Sequence, residues 1–102
     1  MVVDQEFKEY ELEAAVVKLS PKQQFIIIDK GLSNDVRNGQ RFDLFHFDYL
    51  GGNVLLARAV VIQVNADQAV LKITSRFSTK HPVKVGTVAR GLGSGGPKQS
   101  AE

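Results

Sequence analysis

Between Glu9 and Leu19 the chain alternates in character: Tyr10, Leu12, Ala14 and Val16 fall on one parity, Glu9, Glu11, Glu13 and Ala15 on the other. A period of two is that of a half-buried strand. A helix competes with it, because Glu, Leu, Ala and Lys favour helices and Phe7, Tyr10, Ala14 and Val17 would then share a face. The strand over residues 9–19 is preferred, with any helix confined to the first few residues. Ser20-Pro21-Lys22 reads as a turn, proline presetting its first corner. Phe25 to Asp29 is short and β-branched, so it reads as a core strand closing a hairpin.

The polar stretch from Gly31 to Gly39 holds Ser33, Asn34, Asp35 and Asn38, residues suited to turns, and Val36 within it is expected to plug the end of a barrel. Arg41 to Leu50 reads as a strand with Phe42 and Leu44 in one phase and Phe45, Phe47 and Tyr49 in the other. That change of phase predicts a bulge, or a strand covered on both faces. Gly51-Gly52-Asn53 is a turn signal. Val54 to Val64 is the longest strand, and Asn65 to Gln68 turns it into Ala69 to Phe77. There Ala69, Leu71, Ile73 and Ser75 are expected on one face, and Lys72, Thr74 and Arg76 on the other. Ser78 to Pro82 is a loop, and Val83 to Ala89 a last short strand.

From Gly91 the chain reads Gly-Leu-Gly-Ser-Gly-Gly-Pro-Lys-Gln-Ser-Ala-Glu, too little apolar surface to order itself, and a flexible tail is expected. The expected architecture is therefore all-β: a small six-stranded barrel, closed or partly open, over residues 9–90, with an N-terminal extension over 1–8 and a glycine-rich tail over 91–102. Closure also removes the exposed edges that so apolar a set of strands would otherwise present.

A chain of 102 residues builds one core. With no cysteine, disulfides, thiolate zinc sites and thiol nucleophiles are all excluded. No apolar run approaches the roughly 20 residues that a membrane-spanning helix needs, so no membrane insertion is expected. Met1-Val2-Val3-Asp4-Gln5-Glu6 lacks the basic start and apolar centre of a secretory signal. The expected location is the cytoplasm if the chain is complete, or the periplasm if it is an excised domain of an envelope protein.

The net charge is +2, but it is unevenly spread. Residues 1–13 carry Asp4, Glu6, Glu9, Glu11 and Glu13 against Lys8, while residues 72–102 carry Lys72, Arg76, Lys80, Lys84, Arg90 and Lys98 against Glu102. Two solvated faces are the simplest account, and pairing within the fold or between copies is the alternative.

Little in the sequence supports catalysis. Gly91, Gly93 and Gly96 spell a dinucleotide-binding pattern, but Pro97 and the chain end follow where a helix is required, so a linker is the better reading. His46 and His81 are the only histidines, no HxxxH occurs, and His46 with Asp48 supplies two of the three or four ligands a metal needs. Ser33 and Ser78 have no nucleophile-elbow context. Asp29, Asn34 and Asp35 lack the spacing of a calcium-binding EF-hand loop and are accounted for as turn formers. Asp43 and Asp48 fall in opposite strand phases and are expected in solvent rather than as an acid pair. No enzyme activity, cofactor or metal is expected.

The stretch Ile27-Ile28-Asp29-Lys30-Gly31, then Val36-Arg37-Asn38-Gly39-Gln40-Arg41-Phe42-Asp43-Leu44-Phe45, is an apolar strand, a glycine, a polar turn and a second strand. It resembles the small β-barrel modules of bacterial envelope assembly proteins, namely the C-terminal domain of flagellar assembly protein T and the β-domain of rod-shape-determining protein C. Ala57 to Val64 fits the same pattern, as does Val83-Lys84-Val85-Gly86-Thr87-Val88. The resemblance covers residues 14–90 and is structural, with Gly31, Gly39 and Gly86 serving turns or a bulge. It implies protein binding or self-assembly.

These readings converge on a non-catalytic protein-interaction or assembly module, self-associating or binding another protein. Its expected contact surface is Phe45, Phe47 and Tyr49, with Arg41 and Arg58 at the rim. The alternative is single-stranded nucleic-acid binding by the same surface, since small barrels of the OB type stack bases on exposed aromatics beside basic side chains.

Overall fold

The computed structural model describes residues 10–22, 24–48, 52–78 and 80–92. Its strands are β1 (Tyr10–Leu19), β2 (Phe25–Ile28), β3 (Arg41–Asp48), β4 (Gly52–Val64), β5 (Ala69–Arg76) and β6 (Val88–Leu92), with one turn of 3-10 helix at Leu32–Asn34. They close into an antiparallel barrel in the order β1-β2-β5-β4-β3-β6. The fold is all-β, as the period-two patterning predicts. No helix among the described residues is long and apolar enough to cross a membrane.

The core is filled from every strand: Ala14 and Val16 of β1, Ile26 and Ile28 of β2, Phe42 and Leu44 of β3, Leu56, Ala57, Ala59 and Val61 of β4, Ala69 and Leu71 of β5, and Ala89 of β6. Val36 and Val83 enter it from the connections. Phe42 is the largest fully buried side chain, and burying a phenyl ring contributes roughly 1.5–3 kcal/mol. Its ring lies over Gly91, its partner on β6. A Cβ at Gly91 would come within 2.7 Å of that ring, so the position demands glycine. This corrects the expected tail boundary. Gly91 is a buried ladder residue, and residues beyond Leu92 lie outside those described.

The last strand is displaced from its expected position at Val83–Ala89. The chain turns over Lys84 to Thr87, with Gly86 at φ 97, Thr87 N–H donating to the Lys84 carbonyl and Lys84 N–H donating to Thr87 Oγ1. The alternation of Val83, Val85 and Thr87 mimics a strand, but the left-handed Gly86 breaks it.

Bulges adjust the barrel wall. The extra residues are Glu11 and Val17 on β1, Leu56 and Ile62 on β4, and Thr74 on β5. Opposite Phe45 the register slips at Leu56, the irregularity that the change of phase in β3 predicts. Val17 and Ile62 are exposed because they are the extra residues pushed out of the alternation. The bulge at Thr74 also reverses the expected orientation of Ser75, which pairs with Arg58 on the outer face.

The Val36–Gln40 segment acts as a structural clasp. Gly39 N–H donates to the Val61 carbonyl, Val61 N–H donates to the Gln40 carbonyl, and Gln40 Nε2 donates to the Leu92 carbonyl at 2.7 Å. It thereby fastens the start of β3 to β4 and to the end of β6.

Candidate functional site

With Phe42 and Leu44 directed into the core, strand alternation turns Arg41, Asp43, Phe45 and Phe47 to the outer wall. Register then lays a row of polar side chains across five strands of that wall: Glu13, Arg90, Asp43, Arg58 and Ser75. A second row follows through Arg41, Val60, Lys72 and Phe25.

Asp43 anchors the first row. The sequence-based expectation of a solvated carboxylate fails here, because Asp43 is 2% exposed although it points away from the core. Arg58 Nε donates to its Oδ1 at 2.9 Å, Arg41 Nε stands 3.9 Å from the same oxygen, and the Tyr10 hydroxyl donates to Oδ2. The bulge at Glu11 makes this reach feasible. It resets the register so that Tyr10, paired with Leu92, shares the outer face with Glu13 and spans β6 to β3. Burial, and then the hydrogen bond to the Asp43 carboxylate, push the Tyr10 hydroxyl up to about 12. The same carboxylate raises Arg58 above its ordinary value, chiefly through its hydrogen bond.

Aromatic rings frame this ionic centre. The Arg58 guanidinium lies 5.5 Å from the centroid of Phe77, and that of Arg90 lies 5.3 Å from Phe45. Tyr10 meets Phe45 edge to face at 5.8 Å. Phe47, at 61% exposed, and Phe77, at 52%, stand out from the wall.

Of the residues expected in the contact surface, Arg41, Phe45, Phe47 and Arg58 therefore do lie on one face. Arg58 sits at its centre rather than its rim, because Asp43 holds it there. Tyr49 lies outside the described residues. Tyr10, Phe77 and Arg90 were not foreseen. Cross-strand register brings them in, and no local pattern in the sequence signals it.

On the neighbouring side of the barrel, Tyr10, Glu11, Leu12, Glu13 and Arg90 line a shallow depression of about 360 Å³. Glu13 stands 3.6 Å from Arg90. Elsewhere, the His46 and His81 rings stack at 4.1 Å, which packs the loop after β5 against β3. Among the described residues no three His, Asp or Glu side chains converge as metal ligands. Asn34 accepts from Gly31 N–H within its own turn, as a turn former does, whereas Asp29 accepts from Ala15 N–H and so links the end of β2 to β1 instead of forming a turn.

Compared with known proteins, the sequence matches no family model and no curated protein.

Proposed function

We propose that this barrel is a non-catalytic protein-interaction module whose contact surface is the outer wall of β3 and β4, built from Arg41, Phe45, Phe47 and Arg58 and extended by Phe77. The carrying observation is a strongly exposed phenylalanine, Phe77, against an arginine that is already fixed in place, with Phe47 exposed farther along β3. Aromatic and arginine side chains dominate binding energy in protein interfaces. Arg58 is held by Asp43 on one side and Phe77 on the other, so little of its rotamer freedom remains to be lost on binding. The resemblance of residues 27–45 to envelope assembly barrels supports the same reading.

Single-stranded nucleic-acid binding by this wall is the alternative, because aromatics and cations do alternate on it. Two features weigh against it. Guanidinium groups already cover Phe45 and Phe77, where bases would stack, and the charge of Arg58 is largely offset by Asp43. A photo-crosslinking residue at position 47, with position 32 as an exposed control docked on the β4–β5 turn at the far end of β4, tests the choice in native extract. Protease-sensitive adducts at 47 alone are expected. Nuclease-sensitive adducts would replace the reading with the alternative, and equal labelling at both positions would remove the surface.

A further inference from the structure

The wall that carries the proposed function has a counterpart on the same molecule. Among the described side chains of β2 to β5, Asp43 is the one carboxylate, and it is buried against Arg58 and Tyr10. What that side presents to water is Arg41, Lys72, the free edge of Arg58 and the rings of Phe77 and Phe25. Strand β1 presents the opposite character. Glu11 is an exposed bulge residue, Glu13 is exposed beside it, and both rim the depression floored by Tyr10 and Leu12. Neither Glu11 nor Lys72 makes an ion pair among the described residues. In the closed ring β1 and β4 are three places apart, so Glu11 and Glu13 stand across the barrel from Arg58, while Tyr10 and Arg58 reach toward each other to share Asp43.

Resting on the interaction-module reading, we infer that the partner is a second copy of this chain, bound head to tail. The acidic depression over β1 and β6 of one copy receives the Arg58–Phe77–Lys72 wall of the next. The chemistry matches on both counts. Two carboxylates meet strands that carry Lys72 and Arg58, with the exposed Asp29 and Asp67 confined to the flanking turns, and a depression lined by Leu12 and Tyr10 receives an exposed phenyl ring. A closed barrel has no free edge for strand addition, so the contact is between side chains and is sensitive to salt. Because the carboxylates of β1 and the cations of β4 and β5 are different patches on strands across the ring, the contact is heterologous, and the product is an open chain of copies rather than a twofold dimer.

Sedimentation velocity on the full chain tests this with two variants that each keep one working face. Glu11→Arg reverses the acidic face, and Lys72→Glu reverses the basic one. The wild type is expected to grow in mass with concentration at low salt and to return to monomer as salt is raised. Each variant alone should remain monomeric, with an unchanged circular dichroism spectrum. Mixed in equal amounts, they bring an intact acidic face to an intact basic face at one junction and the two substituted positions, 11 and 72, together with their charges exchanged at the other, so association should return. A wild type that stays monomeric at low salt overturns the inference, as do variants that still associate alone or fail to pair when mixed. Position-47 adducts to a different protein, alongside a monomeric wild type, would leave the proposed function standing and remove only the second copy as partner.

Discussion

Removing Arg58 should cost this protein far more stability than removing the charge of the residue it pairs with. Asp43 is 2% exposed in the wild type; Arg58→Ala removes its closest cation and leaves it the Tyr10 hydroxyl as donor and Arg41 3.9 Å away. Breaking a buried ion pair from one side costs about 3–5 kcal/mol. The Arg58 side chain is 34% exposed, so water screens part of the interaction, and about 2–3 kcal/mol is the working figure. Domains of this size have roughly 5–15 kcal/mol in total, and the melting temperature should fall by roughly 10–20 °C. Asp43→Asn keeps an acceptor for Tyr10 and leaves Arg58 free to rehydrate, so it should cost about 1 kcal/mol. The decisive measurement is the double variant. Once Arg58 is gone, neutralising the stranded carboxylate should be stabilising, by about 1 kcal/mol. Asp43→Asn would thus change sign between the two backgrounds. Urea unfolding followed by circular dichroism gives all four stabilities, provided the slopes agree. Costs that add to within about 0.5 kcal/mol would show that Asp43 and Arg58 act independently, and would refute the coupling.

Other consequences can be checked on the same purified protein. Tyr10 holds its proton up to about 12 in the fold against 10.0 unfolded, so its contribution is complete below the lower value and is lost as pH rises through the interval. After allowance for its partial exposure that loss is about 1–2 kcal/mol, and Tyr10→Phe should flatten the alkaline limb of stability by that amount; equal limbs in both proteins would contradict it. Gly91→Ala drives a methyl group to 2.7 Å from the buried Phe42 ring, which should cost about 1–3 kcal/mol, and pairing it with Phe42→Leu should recover part of the loss. Gly31→Ala is worse, because its methyl would meet the Asn65 carbonyl oxygen at 2.2 Å and Gln68 backbone atoms within 2.8 Å. Soluble, cooperatively folding Gly31→Ala protein would argue against the docking of that loop on the β4–β5 turn. Gly86 has open space around it but φ of 97, so alanine there should cost only about 1–2 kcal/mol, all of it backbone strain.

The architecture was legible because alternation is a local signal. Residues 10–19 and 41–48 announce strands through their own parity, and the glycine and asparagine clusters between runs announce turns. The slip opposite Phe45 was legible in part, since apolar residues in both phases of one strand allow either a bulge or a strand covered on both faces, and the extra residue proves to be Leu56 on the partner strand. At the last strand the reading failed at glycine. Gly86 and Gly91 both look like punctuation. One of them does turn the chain, and the other is a strand residue whose missing side chain makes room for Phe42. Distinguishing the two requires knowing what lies across the sheet.

Asp43 shows the same boundary at the candidate site. Parity correctly assigns it to the outer face, and the outer face of a small barrel is ordinarily wet. Its burial depends on two non-local facts, that Arg58 faces it from β4 and that Tyr10 crosses β6 to cap it, together with a local one, Arg41 two residues before it. The reach of Tyr10 depends in turn on one bulged residue, Glu11. A carboxylate in that setting is a poor way to gain stability, because its desolvation offsets most of the attraction it gains. What it does supply is orientation. It turns a long, mobile arginine into a fixed one, lying against Phe77 with its far edge toward solvent. That is why the outer wall of β3 and β4, and not the half-buried Phe45 alone, is where a partner should meet this barrel.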